Sequence, residues 1–359
     1  MIWRSLRRHW FLFGLGFAFA IGFGAGPKAA WLLDLPYLRS GFVFTVMWIT
    51  GLTLRGDAIR RCVAQPLGGA MACGLNMIIV PALCYVAAIV LTPELGGGLY
   101  VAGLAPCTLA SAAIWTRRAG GDDSIALLTT IVTNLACVAV VPIGLWIGLG
   151  CQAEIPIVGQ IQKLFWVVVV PLLLAQATRR LGGAAAADNN RGLLAFLAQI
   201  GILVMVFFGA IASRQLMDQS DQPMSWFAGA MLLMTILAAA TVHVAALLGG
   251  IRLARLGGLS QDRQIAVGFS GSQKTLMVGL QIAIDCGVSV VPMIIYHLSQ
   301  LFIDTYVADR WAIAHAKHGG NQPPDPTGSL SGNSGPPNAA RKRMPTGDSI
   351  PGNRNPGGA

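Results

Sequence analysis

The chain has 359 residues, of which 54% are hydrophobic and only 11% charged, and its mean hydropathy is +0.63. Soluble domains carry about a quarter charged residues, so a soluble globular enzyme is excluded and a polytopic membrane protein, with the lipid bilayer as its partner, is implied. The formal charge of +10 implies no nucleic acid, because lysine and arginine in such a chain first report which side of the bilayer a loop occupies.

Apolar runs near 10–25, 37–54, 67–92, 97–116, 124–149, 164–178, 192–213, 225–250, 264–284 and 287–308 predict ten membrane-spanning helices. The first follows Arg4, Arg7 and Arg8 and reads as an uncleaved span, since nine more continue the alternation of charge after it. With the N-terminus in the cytoplasm, the loops facing outward hold only Lys28, Arg39, Lys163 and Arg214, while the other arginines and tail lysines fall inside. Both termini are therefore expected to be cytoplasmic, in a bacterial inner (plasma) membrane. One basic residue, Lys274, falls on neither side.

Taken in order, the third span carries Asn76, and the fourth, "YVAGLAPCTLASAAIW", carries Pro106, Thr108 and Ser111 in its middle. The fifth span carries Thr130, Thr133 and Asn134, which read as interhelical hydrogen-bonding groups. Asp122 and Asp123 follow Arg117 and Arg118 in a short loop that reads as a locally neutral turn. His243, in the eighth span, reads as a hydrogen-bonded core residue. The ninth span, "GFSGSQKTLMVGL", carries Gly271, Ser272, Gln273, Lys274 and Thr275. In the tenth, His297 and Asp304 lie two helical turns apart on one face; Asp304 either pairs with a cation or sits at the cytoplasmic rim beside Asp309 and Arg310.

The membrane domain is expected over 1–314, and the Gly/Pro/Ser/Asn-rich segment 315–359 reads as a disordered cytoplasmic tail. Trp3, Trp10, Trp31, Trp226 and Trp311 near span ends read as interfacial anchors. The cysteines, Cys62, Cys73, Cys84, Cys107, Cys137, Cys151 and Cys286, stand singly and read as packing residues rather than metal ligands.

Ten spans divide five plus five, and an odd number in each half turns the second copy upside down, the layout of many secondary transporters. The interrupted spans are the fourth of each half. Proline removes a backbone donor and glycine eases unwinding, so free N–H and C=O groups are expected at mid-membrane depth, where only protein or a water-filled cavity satisfies them. Half-helix ends there are expected to form a substrate site from backbone; the alternative is that Pro106 only kinks its helix and the small residues let helices pack closely.

"NMIIVP", "PCTLAS", "GGDDSIALLTTIVTNL" and "GSQKTL" in this order resemble the bile acid:sodium symporter superfamily, solute carrier family 10, and within it the SBF-like branch. The resemblance covers about residues 8 to 310. It implies a panel bundle of spans one, two, six and seven, a core bundle of the other six, and fourth and ninth helices that are unwound and cross.

The resemblance also implies two sodium sites, one at Ser111 and Thr130 and one at Asn76 and Gln273. This sequence departs from the sodium-coupled pattern: Phe269 stands where an acidic residue serves both sites, Ala112 replaces an asparagine and Ala126 a serine. Sodium coupling is thereby in doubt, and Na+ or H+ remains open as coupling ion; no other cofactor is expected.

Lys274, beside Gln273 and opposite Ser111, offers a built-in cation in the space that bound ions fill elsewhere; the alternative is a lysine that snorkels to an interface. The sites expected to bind substrate or ion are Lys274, Gln273, Ser272, Thr275, Ser111, Thr108, Pro106, Asn76 and Thr130, with Asp304 and His297 as secondary candidates.

The function expected is secondary transport of a small organic, anionic solute by alternating access. A transport-inactive regulatory or scaffold protein on the same fold is the alternative. An intramembrane enzyme using His243, His297 and Asp304 is a third reading, which the absence of HExxH, GxSxG or paired-aspartate spacing disfavours.

Overall fold

Apolar segments with no water to satisfy their backbone must bond internally. In the computed structural model the described residues, 2–35, 37–54, 66–109, 111–150, 157–219 and 226–318, accordingly form helices and short connections, with no strand among them. In chain order the helices are α1 Ile2–Ala29, α2 Trp31–Asp34, α3 Leu38–Leu52, α4 Pro66–Ala88, α5 Pro93–Leu104, α6 Ser111–Arg118 and α7 Asp123–Leu149. They continue with α8 Ile157–Asn189, α9 Arg191–Gln219, α10 Trp226–Leu256, α11 Gln261–Ser272, α12 Leu276–Asp285 and α13 Val291–His318.

Five of them, Pro66–Ala88, Asp123–Leu149, Ile157–Asn189, Arg191–Asp218 and Gly229–Leu256, are long and apolar enough to cross a membrane as single helices. Where the fourth and ninth spans were expected, the helix instead stops and restarts. It ends at Leu104 and resumes at Ser111, and it ends at Ser272 and resumes at Leu276. Ala105 and Gln273, the residues after each stop, take ψ values of 144° and 141°, which no helix continues.

The sixth apolar run begins at 164, yet α8 starts seven residues earlier, at Ile157, on a turn that carries Gln160 and Lys163. At the other end of the chain α13 continues to His318, past the boundary expected at 314. The rest of the expected tail, together with Cys62 and Cys151, lies outside the described residues.

Packing sorts the helices into two groups. In the first, α1 lies along α9, and α3 lies between α9 and α8. In the second, α10 packs on α11 and α13, α4 on α5 and α7, and α6 on α7 and α11. The first group meets the second chiefly where α3 and α9 lie on α12 and where α7 passes to α8.

Close approaches depend on missing side chains. Gly250 of α10 lies against Gly268 of α11, where an added Cβ on Gly268 would stand 2.8 Å from the Leu247 carbonyl oxygen.

Candidate functional site

The two interrupted segments meet. The Thr275 N–H donates to the Pro106 carbonyl at 2.8 Å, a backbone bond between one helix break and the other. Such a bond is possible because a residue past a helix end has a donor or acceptor that the helix does not use. Around it the side chains of α4, α7, α10 and α13 complete what the broken backbone leaves open.

Asn76 is the hub on α4. Its amide nitrogen donates to the Gln273 carbonyl at 2.8 Å and to the Gly271 carbonyl at 3.2 Å. Its own carbonyl and its Oδ1 accept from Lys274 Nζ at 2.5 and 3.3 Å. The "NMIIVP" sequence explains why that carbonyl is available. Residues Leu75–Ile79 form a π turn, in which the Val80 N–H reaches back to Leu75, and the next residue, Pro81, has no N–H to offer Asn76.

Lys274 is therefore fully buried in protein rather than snorkelling to an interface. Gln300 of α13 clamps its backbone, accepting from the Lys274 N–H at 2.9 Å and donating to its carbonyl at 3.1 Å. Among the described residues no carboxylate forms an ion pair with the ammonium, whose partners are the two neutral oxygens of Asn76.

Gln273 faces the other way and joins the two breaks through its side chain. Its Oε1 accepts from Thr108 at 3.1 Å and Ser111 at 3.0 Å, and those two hydroxyls lie 2.5 Å apart. Its Nε2 donates to Asp304 Oδ2 at 2.6 Å. Asp304 is thus fully buried at the crossing and not at the rim, and its other oxygen lies 2.9 Å from His243 Nε2. Among the described residues His243 Nδ1 has no hydrogen-bond partner, although it is buried.

Phe269, where the resemblance implied an acidic residue in sodium-coupled members, is packed edge-on against Trp311 in an apolar cluster. The carboxylate at this crossing is Asp304, from the tenth apolar run.

The remaining sequence candidates divide. Thr130 donates to the Thr108 carbonyl at 2.9 Å and holds the first break from α7, as does Asn134 through the Cys107 carbonyl. Ser272 turns its hydroxyl back to Phe269 of its own helix, and only its carbonyl takes part, accepting from Tyr296. Thr275 and Pro106 contribute backbone groups. His297 bonds Gln300 at 3.1 Å and touches the site through it.

Gln300 and Tyr296 were missed in the sequence. The signal was present for Gln300, which shares one helical face with His297 and Asp304.

The donor set does not fit a sodium ion at Asn76 and Gln273, because the ammonium of Lys274 holds both Asn76 oxygens and Gln273 Oε1 already accepts twice. No three His, Cys, Asp or Glu side chains converge as a metal site among the described residues. What the arrangement offers is a buried lysine amino group between the start of α12 and the π turn of α4, with a carboxylate tied to the opposite side of the same break.

Residues 9–313 match the family described as the SBF-like CPA transporter family. Among curated proteins, the chain is 29% identical over 318 residues to the Arabidopsis thaliana protein named "Probable sodium/metabolite cotransporter BASS4, chloroplastic", covering 83% of this chain and 70% of that one. It is 28% identical over 247 residues to an uncharacterized protein of Pseudomonas aeruginosa, covering 66% of this chain and 71% of that one. It is 23% identical over 215 residues to sodium/bile acid cotransporter 7 of Danio rerio, covering 57% of this chain and 62% of that one. The family description and the two cotransporter names point to a transporter and not to an enzyme.

Proposed function

The chain belongs to the SBF-like CPA transporter family, and from that premise we propose that it is a secondary transporter that carries a small organic anion across a bilayer by alternating access. In this reading α5 with α6 is the fourth of ten spans and α11 with α12 the ninth. The halves 1–5 and 6–10 are inverted repeats, α1, α3, α8 and α9 form the panel, and the second helix group forms the core. Both termini face the cytoplasm of a bacterial inner membrane.

The observation that carries the reading is the buried side chain of Lys274, whose Nζ lies against the two oxygens of Asn76 and, among the described residues, within ion-pair distance of no carboxylate. A lysine at this depth costs about 2.5–3.5 kcal/mol on insertion scales, and an anionic solute in an adjoining cavity offsets that cost. The N-termini of α6 and α12 add partial positive charge at the same place. Sodium in the relatives' names belongs to those proteins; here the tethered ammonium stands where a bound cation would.

The test is uptake by proteoliposomes of a mixture of carboxylates and sulfonates, read by mass spectrometry, with sodium or choline as the cation. At least one anion is expected to accumulate equally in both salts, and Lys274→Gln is expected to fall to the level of empty liposomes. No uptake across a broad mixture would overturn transport and favour the regulatory reading. Uptake that requires sodium would overturn the tethered-cation part alone.

A further inference from the structure

Away from the crossing, the two helix groups are also tied by charge. Asp285 ends α12, and its side chain is 8% exposed. One of its oxygens lies 2.7 Å from Lys163 Nζ of α8, the other 3.6 Å from Arg39 Nη1 of α3, and Gln281 donates to both at 2.9 Å. Next in sequence, Cys286 accepts from Gln160 of α8 at 3.7 Å. A single carboxylate of the core thus holds two cations of the panel.

Two features show that this contact is not saturated. Among the described residues Arg39 Nη1 is buried without a hydrogen-bond partner, since 3.6 Å is an ion-pair separation and not a hydrogen bond, and Gln281 Oε1 is likewise buried and unpartnered. Arg39 and Lys163 also line a cavity of about 670 Å3, together with Asp34, Tyr37, Gln162 and Trp166. Tyr37 there sits at φ 63°, a left-handed conformation that an aromatic residue rarely adopts and that tends to mark binding sites and switches.

The charges state what the cavity accepts. Asp34 and Asp285 together balance Arg39 and Lys163. If Asp285 withdraws as the core moves, the walls keep two cations against one carboxylate, and one anionic group restores neutrality. The aromatic rings of Tyr37 and Trp166 beside those cations suit an anion with an apolar body.

Resting on the anion-transport reading, we infer that Arg39 and Lys163 form an entry site for the solute's anionic group, with Asp285 as a tethered occupant that the solute displaces. Displacement frees α12 from the panel and opens this face of the protein. Asp285 is the latch and the solute's carboxylate or sulfonate is the key.

Cys286 reports the latch. Burial pushes its thiol up to about 11, so it reacts slowly at neutral pH while the contact is closed. Alkylation of Cys286 by N-ethylmaleimide in the purified full chain, resolved by peptide mass spectrometry, is measured with 1-naphthoate and with neutral 1-naphthamide. The anion is expected to accelerate labelling several-fold and the amide to leave it unchanged. Lys163→Gln is expected to label fast without any ligand and to lose its response to the anion.

Electrostatics alone gives the opposite sign, because the Lys163 ammonium holds the thiol down and its removal or neutralisation would slow the reaction. Unchanged or slower labelling of Lys163→Gln overturns the latch. Fast labelling of that variant with no response of the wild type to 1-naphthoate overturns the anion as key, and leaves the transport reading untouched. A naphthoate response with no anion uptake by proteoliposomes supports the entry site and removes transport. If Lys163→Gln fails to fold, the wild-type comparison of naphthoate with naphthamide decides alone.

Discussion

At the scale of single residues, Asn76 ties the crossing together, because one side chain serves two broken-helix carbonyls and part of an ammonium. Asn76→Ala leaves the Gly271 and Gln273 carbonyls without this donor. A buried polar group left unpaired costs about 1–3 kcal/mol, so a drop of several degrees in the thermal midpoint of the purified protein is expected; an unchanged midpoint would show that other groups or water fill the gap. Asp304 separates packing from polarity in the same way. Asp304→Leu orphans both Gln273 Nε2 and His243 Nε2, whereas Asp304→Asn keeps an oxygen and an amide in the same place. Leu is expected to lower the midpoint by more than Asn does, and equal losses would mean that the two contacts contribute little. Lys274 and Gln273 were legible in the sequence, because a charge among small polar residues in an apolar run is costly unless it faces a cavity or a partner. The burial of Asp304 was not, since a helical face shared with His297 gives spacing along α13 but not which neighbour that face turns to.

Elements explain more than residues do about how the site is built. The two breaks could be placed from Pro106 and from the Gly271–Thr275 stretch, because proline and glycine act on the backbone locally. The π turn of α4 could not, although Pro81 stood in view, because its effect is to free a carbonyl five residues earlier that only a lysine 198 positions away uses. Pro81→Ala supplies the missing N–H. The Asn76 carbonyl can then bond within α4, and the ammonium loses its 2.5 Å partner. Stability is expected to stay level or rise while anion uptake falls, a split that simple damage to the helix would not produce. Helix contact sets the other constraint. Gly268→Leu drives a side chain into the Leu247 carbonyl and Ile251 of α10 and is expected to abolish folded yield, whereas Gly249→Ala, with open space around its Cβ position, is expected to leave it unchanged. Yield and monodispersity on size-exclusion chromatography distinguish the two.

For the molecule as a whole, the contacts between the two helix groups are asymmetric. Helices α3 and α9 of the first group lie on α12, and the ion pairs of Asp285 with Arg39 and Lys163 lie at that same end. The opposite halves of the broken spans, α6 and α11, find their main neighbours in α4, α7, α10 and α13, all of the second helix group. Ser111 and Thr275, at the crossing, keep partial exposure although Gln273 and Lys274 between them have none. In the alternating-access reading, with the Asp285 pairs closed at the end of Arg39 and Lys163, the crossing is expected to be reached from the end that carries Arg117 and Arg118. Ten apolar runs read from the sequence suggest two alternating faces, but which face is open depends on how one bundle rests on the other, and hydropathy carries no record of that. A cysteine at Thr275, treated with a membrane-impermeant methanethiosulfonate in oriented vesicles, is expected to react from the Arg117 face and to be protected from the other. Adding Lys163→Gln, which weakens the latch, is expected to shift reactivity toward the Arg39 face. Labelling from both faces at once in the protein with the latch intact would mean that the crossing is a pore and not an alternating site.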